Sequence, residues 1–380
     1  MSEQIYLDNN ATTRIYDEAL DEVVRVSRDC YGNASSIHAK GKEAHDILEL
    51  SREKIASLLK VRPEEIIFTS GGSEGNNLAI KGLADRQDLS RKNHIVTTVV
   101  EHSSVYQVCR YLETKGYQVS FLKPDRQGHI LMKDLESAVT DRTFLVTALY
   151  ANNEIGTVQD VRSIGGLCEK RGIVFHSDGV QAFGKIPVEL YADNIGLFST
   201  SGHKIHGPKG VGFLFKRRDI AITPLIHGGG QESDLRSGTE NIPLIAGLAK
   251  ACEIKFSRLA AESAYLKDLT VYFHDSLKKL LPLMEVNGDP ENRIPNTINL
   301  RFPGVSGPKI IACLSDEGIY ASPSSACSAN STRPSRILTS LGLMADEAFS
   351  SVRFSFDASI DRGQVDRAVA VVKSIVDRLL

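Results

Sequence analysis

No two cysteines in this chain stand in a CxxC pair, and the six thiols, at positions 30, 109, 168, 252, 313 and 327, form no cluster. That excludes the usual ligand spacings of zinc and iron–sulfur centres, and no metal is expected. No apolar run approaches the roughly 18 residues that suggest a bilayer span. The start MSEQIYLDNN also lacks a basic stretch followed by a hydrophobic one. Neither membrane nor secretion is therefore expected, and a cytoplasmic location is the default. Charge of one sign is missing too: 45 Lys and Arg against 47 Asp and Glu leave a formal −2, which argues against direct nucleic-acid binding through a broad basic face. What is present is ordinary globular material, 380 residues of which 42% are hydrophobic, enough for about two domains of roughly 150 residues each. A chain of this length buries roughly three quarters of its extended surface, so no disulfide framework is needed and most of the thiols read as small buried hydrophobes.

The hydrophobic pattern divides the chain. Ala44, Leu48, Ile55, Leu58 and Leu59 recur at helical spacing and predict an amphipathic helix over 40–60. Short β-branched or aromatic runs follow at 66–69, 95–99, 119–122, 144–149, 173–175, 195–198 and 211–215. These seven predict one large α/β domain on a mostly parallel sheet. After about 240 the pattern is helical to roughly 280, then strand-like at 297–302 and 351–356. A terminal helix follows, with Val365, Ala368, Val369, Val372, Ile375, Val376 and Leu379 near one face. The expected division is 15–255 for the large domain and 1–14 with 256–380 for a smaller α/β domain. The strand-like 5–7 is a candidate to pack on the small one.

Polar clusters stand directly after the predicted strands: GGSEGNN at 71–77, EHSS at 101–104, ANNE at 151–154, SDGVQ at 177–181 and TSGHK at 200–204. Open α/β sheets collect ligands at the carboxyl ends of their strands, so these clusters can line one cleft. The Gly71-Gly72-Ser73 turn, with a helix expected from near Asn76, offers backbone N–H groups and a hydroxyl to a phosphate. GxGxxG and GxxxxGK[ST] are both absent, which matches a small phosphorylated cofactor better than NAD or ATP. Asp178 after one strand and Lys204 after another suit pyridoxal 5'-phosphate: the amine bonds the aldehyde and the carboxylate keeps the pyridine nitrogen protonated. His102 over the ring, Gln181 at its phenolic oxygen, and Ser201 and His203 at its phosphate complete that reading. Satisfying loop backbone is the alternative role for each.

Taken together, YLDNNATT at 6–13, GNASSIH at 32–38, FTSGGSEGNNLAIKG at 68–82, NNEIGTVQD at 152–160, HSDGVQAFGK at 176–185, SGHKIHGPKGVG at 201–212, GGGQE at 228–232, RSGT at 236–239, SSACS at 324–328 and VRFS at 352–355 closely resemble the cysteine desulfurases. The likeness is to the NifS/IscS-type branch of the fold-type I pyridoxal-phosphate enzymes, in the class-V aminotransferase family, and it runs nearly end to end.

The resemblance implies a fold-type I transferase with Lys204 as the Schiff-base lysine, Asp178 as the partner of the pyridine nitrogen, His102 stacked on the ring and Gln181 at the phenolic oxygen. It implies Gly72, Ser73, Ser201 and His203 as phosphate ligands, with Thr239 contributed to the neighbouring subunit's phosphate site. Asn153 and Arg353 become contacts to the substrate carboxylate, and Cys327 the sulfur acceptor. The activity implied is conversion of L-cysteine to L-alanine and an enzyme persulfide, in a homodimer. That persulfide would pass to an acceptor protein, such as an Fe–S scaffold, a tRNA-thiolation enzyme or a DNA sulfur-modification enzyme. Selenocysteine lyase activity and a non-catalytic sulfur-assembly scaffold are the alternatives. Ala34, Ser73, Gly179-Val180, Ser325 and Asp357 depart from the family pattern. The last two bear on the flexibility of the cysteine loop and on the backbone beside Arg353.

Overall fold

A computed structural model of the chain describes residues 4–323 and 334–380. All seven predicted runs form strands of one sheet: β2 (Ile66–Thr69), β3 (His94–Thr98), β4 (Gln118–Leu122), β5 (Thr143–Thr147), β6 (Val174–Asp178), β7 (Leu197–Ser199) and β8 (Gly212–Lys216), preceded in the chain by β1 (Ile5–Tyr6). Their order is β2-β8-β7-β6-β5-β3-β4. Only β8 runs against its neighbours; β3 to β7 pair in parallel. The strands are nearly continuous in apolar residues because helices cover the sheet, and β2, β3 and β5 are buried at every position.

A second sheet has the order β12-β13-β10-β9, made of β9 (Glu285–Asn287), β10 (Thr297–Arg301), β12 (Ser322–Pro323) and β13 (Ser351–Ser355). The expected packing of 5–7 is found: β1 pairs in parallel with β11 (Ile319–Tyr320), and Asp8 bridges to Ser355 at the end of β13. The N-terminal segment thus runs along the small unit before it enters the site.

Two apolar cores meet along the 39-residue helix Ile242–Leu280. Its first half places Ile245, Leu248, Ala249 and Cys252 among residues of the large sheet. Its second half places Leu266, Leu269, Phe273 and Leu277 with Ile5, Leu7, β10 and β13. The predicted amphipathic helix is Ala39–Leu59, with Ala44, Leu48, Ile55 and Leu59 buried. The terminal helix, Arg362–Leu379, buries Val365, Ala368, Val369, Val372, Ile375 and Val376.

One boundary differs: the helix expected from near Asn76 is Gly72–Ala84. Glycine's poor helix propensity hides the first turn in the sequence. Close packing requires it, since a Cβ on Gly72 would lie 2.5 Å from Val180 Cγ2 and one on Gly82 2.5 Å from the Thr223 carbonyl oxygen.

Candidate active site

Because β2, β3, β5, β6 and β7 point one way, the segments leaving their carboxyl ends converge on one edge of the sheet. They surround a cavity of about 820 Å³ whose wall is completed by residues 10–12, 334–337 and Arg353 from β13. Among the sequence candidates, Gly72, Ser73, His102, Asn153, Asp178, Gln181, Ser201, His203, Lys204 and Arg353 all line it. Thr239 does not, and is exposed on the loop before the long helix. Cys327 and Ser325 lie outside the described residues. The other five cysteines are free, with Cys30, Cys109, Cys168 and Cys252 buried and Cys313 partly so.

Lys204 follows β7 in a single turn of 3-10 helix, Gly202–Lys204, and its Nζ donates to the carbonyl oxygens of Asn10 (2.6 Å) and Ala11 (2.7 Å). Asp178 ends β6, with its carboxylate fixed at both oxygens. Asn76 Nδ2 donates to Oδ2 at 2.7 Å, and the Val180 N–H donates to Oδ1 at 3.0 Å. Asn76 Nδ2 also donates to Ser104 Oγ at 2.8 Å, and that hydroxyl lies 2.8 Å from His102 Nδ1. The Ser104 main-chain N–H reaches the same Nδ1 at 3.2 Å. An imidazole nitrogen that accepts a main-chain N–H carries no proton of its own, so neutral His102 bears its proton on Nε2.

The opposite wall suits an anion. Gly71, at φ 142°, turns the chain out of β2 in a conformation that L side chains rarely adopt, and the helix Gly72–Ala84 then presents its first N–H groups beside Ser73 and Ser201. His203 lies with Nδ1 3.1 Å from Thr12 Oγ1. Burial, together with Lys204, Lys209 and Lys185, lowers its pKa to about 4, so it is neutral at pH 7.

Arg353 is 1% exposed. Its Nη1 donates to the Asn153 carbonyl at 2.9 Å and its Nη2 to Asp8 Oδ1 at 2.6 Å, while Nε has no partner among the described residues. Asn153 therefore meets Arg353 through its main chain. Two buried carboxyls also line the cavity. Burial raises Glu101 to about 8 and Glu154 to about 7. Glu101 Oε1 accepts from Thr98 Oγ1 (2.7 Å) and the Leu149 N–H, and Glu154 Oε2 accepts from Ser335 Oγ (2.5 Å). Arg336 donates to the Glu101 carbonyl at 2.6 Å and stacks on Tyr106.

Sequence reasoning gave no role to Asp8, Asn10, Asn76, Ser104, Glu101, Glu154 or Lys185. Asn10 is the hub among them: its main-chain oxygen receives Lys204 and Gln181, and its side chain meets Thr297 and Lys185. Most of these residues sit inside motifs already singled out, which was the available signal. Spacing along the chain does not say that residue 10 reaches residues 181, 204 and 297.

The arrangement of an amine, a fixed carboxylate, an anion cradle and a buried guanidinium suits a phosphorylated aromatic aldehyde with an amino acid beside it. A family model described as aminotransferase class-V matches residues 5–368. The chain is 42% identical over 377 residues to the cysteine desulfurase of Trichormus azollae, covering 99% of this chain and 93% of that one. Of solved structures, a NifS-like protein matches with a TM-score of 0.93 at 36% identity, over 99% of this chain and 100% of that one. SspA in complex with cysteine matches with a TM-score of 0.82 at 36% identity, over 93% and 98%.

Proposed function

The chain belongs to the aminotransferase class-V family, and on that footing we propose that it is a cysteine desulfurase, which converts L-cysteine to L-alanine and an enzyme persulfide. One observation carries this reading: Lys204, Asp178 and His102 from the large sheet and Arg353 from the small one face a single cavity.

The residues present fit pyridoxal phosphate. The helix start at Gly72 and Ser73, with Ser201 and His203, would hold its phosphate, Asp178 its ring nitrogen, and Gln181 its phenolic oxygen. In the bound state the cofactor contributes an aldehyde that bonds an amino group and a protonated ring that draws electrons away from Cα. The protein supplies orientation and proton transfer. Arg353, anchored by Asp8 and the Asn153 carbonyl, holds the substrate carboxylate and so fixes which bond at Cα is presented. Lys204 Nζ takes the Cα proton, held in reach by the Asn10 and Ala11 carbonyls. His102, with Nδ1 engaged by Ser104, presents its proton on Nε2.

For sulfur removal we assign the acceptor to Cys327, by resemblance. Its thiolate attacks the substrate sulfur, a new S–S bond forms, and the Cβ–S bond breaks with its electron pair going to Cβ. Protons returned at Cβ and Cα give alanine, so L-cysteine and Cys327–SH become L-alanine and Cys327–S–SH with no outside oxidant. The match to SspA in complex with cysteine supports L-cysteine as substrate. A homodimer, Thr239 reaching the neighbouring subunit's phosphate site, a sulfur-acceptor protein and a cytoplasmic setting belong to the same proposal.

The deciding experiment incubates the full chain with pyridoxal phosphate, L-cysteine and a thiol reductant while sulfide and alanine are both measured. Equal yields, abolished in Cys327→Ser, are expected. Cofactor-loaded protein that forms neither product overturns the assignment.

A further inference from the structure

Behind the cavity lies a second, buried amine. Lys185 follows β6 and does not line the main cavity. It faces a small internal space of about 20 Å³ on the far side of Lys204, shared with His206, Lys255, Glu262 and Asp357. Its Nζ donates to Gln181 Oε1 at 2.6 Å and to Asn10 Oδ1 at 2.9 Å.

Those two hydrogen bonds fix two amides. With Oε1 held by an amine, Gln181 must turn its NH2 the other way, and its Nε2 does donate to the Asn10 carbonyl at 3.1 Å. With Oδ1 held, Asn10 directs Nδ2 to Thr297 Oγ1 (2.8 Å) and the Asn153 carbonyl (3.3 Å), the oxygen that also receives Arg353. The Asn10 carbonyl in turn receives Lys204 Nζ. Lys185 is thus two hydrogen bonds away from Lys204 and three from Arg353. Asn10 Oδ1 also accepts from Asn296 Nδ2, at 3.3 Å, the longer of the two hydrogen bonds to that oxygen. A lone buried lysine is costly to keep. Burial and the charges of Lys204, Lys255 and Arg353 press its pKa well below the usual lysine value.

We propose that Lys185 is a positioning residue for the reaction: from outside the cavity it sets the amides of Gln181 and Asn10, so that Gln181 offers an N–H to the cofactor's phenolic oxygen and Asn10 keeps its carbonyl on Lys204. This rests on the proposed function. Lys185 touches neither substrate nor cofactor; its effect on the cofactor band is transmitted by Gln181 and its effect on Lys204 by Asn10.

The test uses the full chain loaded with pyridoxal phosphate and reads the visible absorption band of the bound cofactor, its pH midpoint, and the rate of alanine formation. Lys185→Met keeps the volume and removes the donor. It is expected to move the midpoint by about half a unit or more and to lower kcat about tenfold with KM changed about twofold or less. In a Gln181→Ala background the same substitution is expected to add little to the shift, because the pathway is already cut. An unchanged midpoint and kcat in Lys185→Met, with a normal wild-type band, overturns the role of Lys185 alone. A wild-type chain that develops no band overturns the proposed function and this role with it. If Lys185→Met does not fold, Gln181→Glu is read instead. An amine facing the new carboxylate keeps its melting temperature within about 3 °C of wild type, whereas a drop of about 10 °C or more, from an unpaired buried charge, overturns the contact.

Discussion

Lys204 and Glu101 show how differently two ionisable residues of one cavity are held. Lys204 Nζ is met by main-chain carbonyls, which orient the amine without adding a negative charge. Lys204→Ala is expected to abolish the visible band of the cofactor-loaded chain and reduce alanine formation to background; a spectrophotometric titration checks it, and a persisting band would move the role elsewhere. Glu101 is 0% exposed, and burial raises its carboxyl from 4.5 to about 8. Between those two values the folded chain holds a proton that the unfolded chain has released, so stability falls as pH rises through this window. Glu101→Gln is expected to flatten the decline in melting temperature between pH 5 and pH 8, as read by calorimetry. A slope identical to wild type would show that the carboxyl ionises freely in the fold.

At the scale of elements, direction matters more than composition. The reversed strand β8 lies between β2 and β7, yet the carboxyl ends of β2, β3, β5, β6 and β7 still share an edge, and every strand of that group delivers a residue to the cavity. The helix Ile242–Leu280 serves both cores, and its packing on the helix Asp17–Asp29 is close at Gly247. A Cβ there would lie 2.4 Å from Val23 Cγ2 and 3.1 Å from the Ala19 carbonyl oxygen. Gly247→Ala is expected to cost about 1–3 kcal/mol in urea unfolding through overpacking, despite alanine's better helix propensity. A stabilised variant would mean that the two helices separate easily. The strands and the two long amphipathic helices were legible because each carries an uninterrupted hydrophobic period. The start of the helix Gly72–Ala84 was not, because its glycines answer to contacts with Val180 and Ser199 that have no local signature.

For the whole molecule, the long helix is shared by the two units, and we propose a division at residues 255 and 256, close to where that helix passes from the large core, which Phe256 still touches, to the small one. The homodimer follows from the proposed function and has a direct measurement. Sedimentation of the full chain is expected to give twice the 41.6 kDa of one chain; a monomer at micromolar concentration would remove the role proposed for the exposed Thr239. No described helix is long and apolar enough to cross a membrane, and no cluster of metal-ligating side chains occurs among the described residues.

While β9, β11 and β12 of the small unit, two or three residues each, carry too short a pattern to be read, the sequence by itself determined the seven strands of the large sheet, the residues after them, and the motifs that identify the family. Those are local properties: hydrophobic period, glycine in turns, and the order of residue types. It also named ten residues that the fold brings to one cavity. Tertiary structure alone decided which of them touch, and through what. Asp178 is linked to His102 through Asn76 and Ser104, Arg353 meets Asn153 at its main chain, and Lys185 is hydrogen-bonded to Asn10 beside Lys204. Apart from His102 with Ser104, such contacts join residues tens to hundreds of positions apart. They depend on strand direction and on the close approach of the N-terminal segment to both sheets, neither of which is written in local spacing.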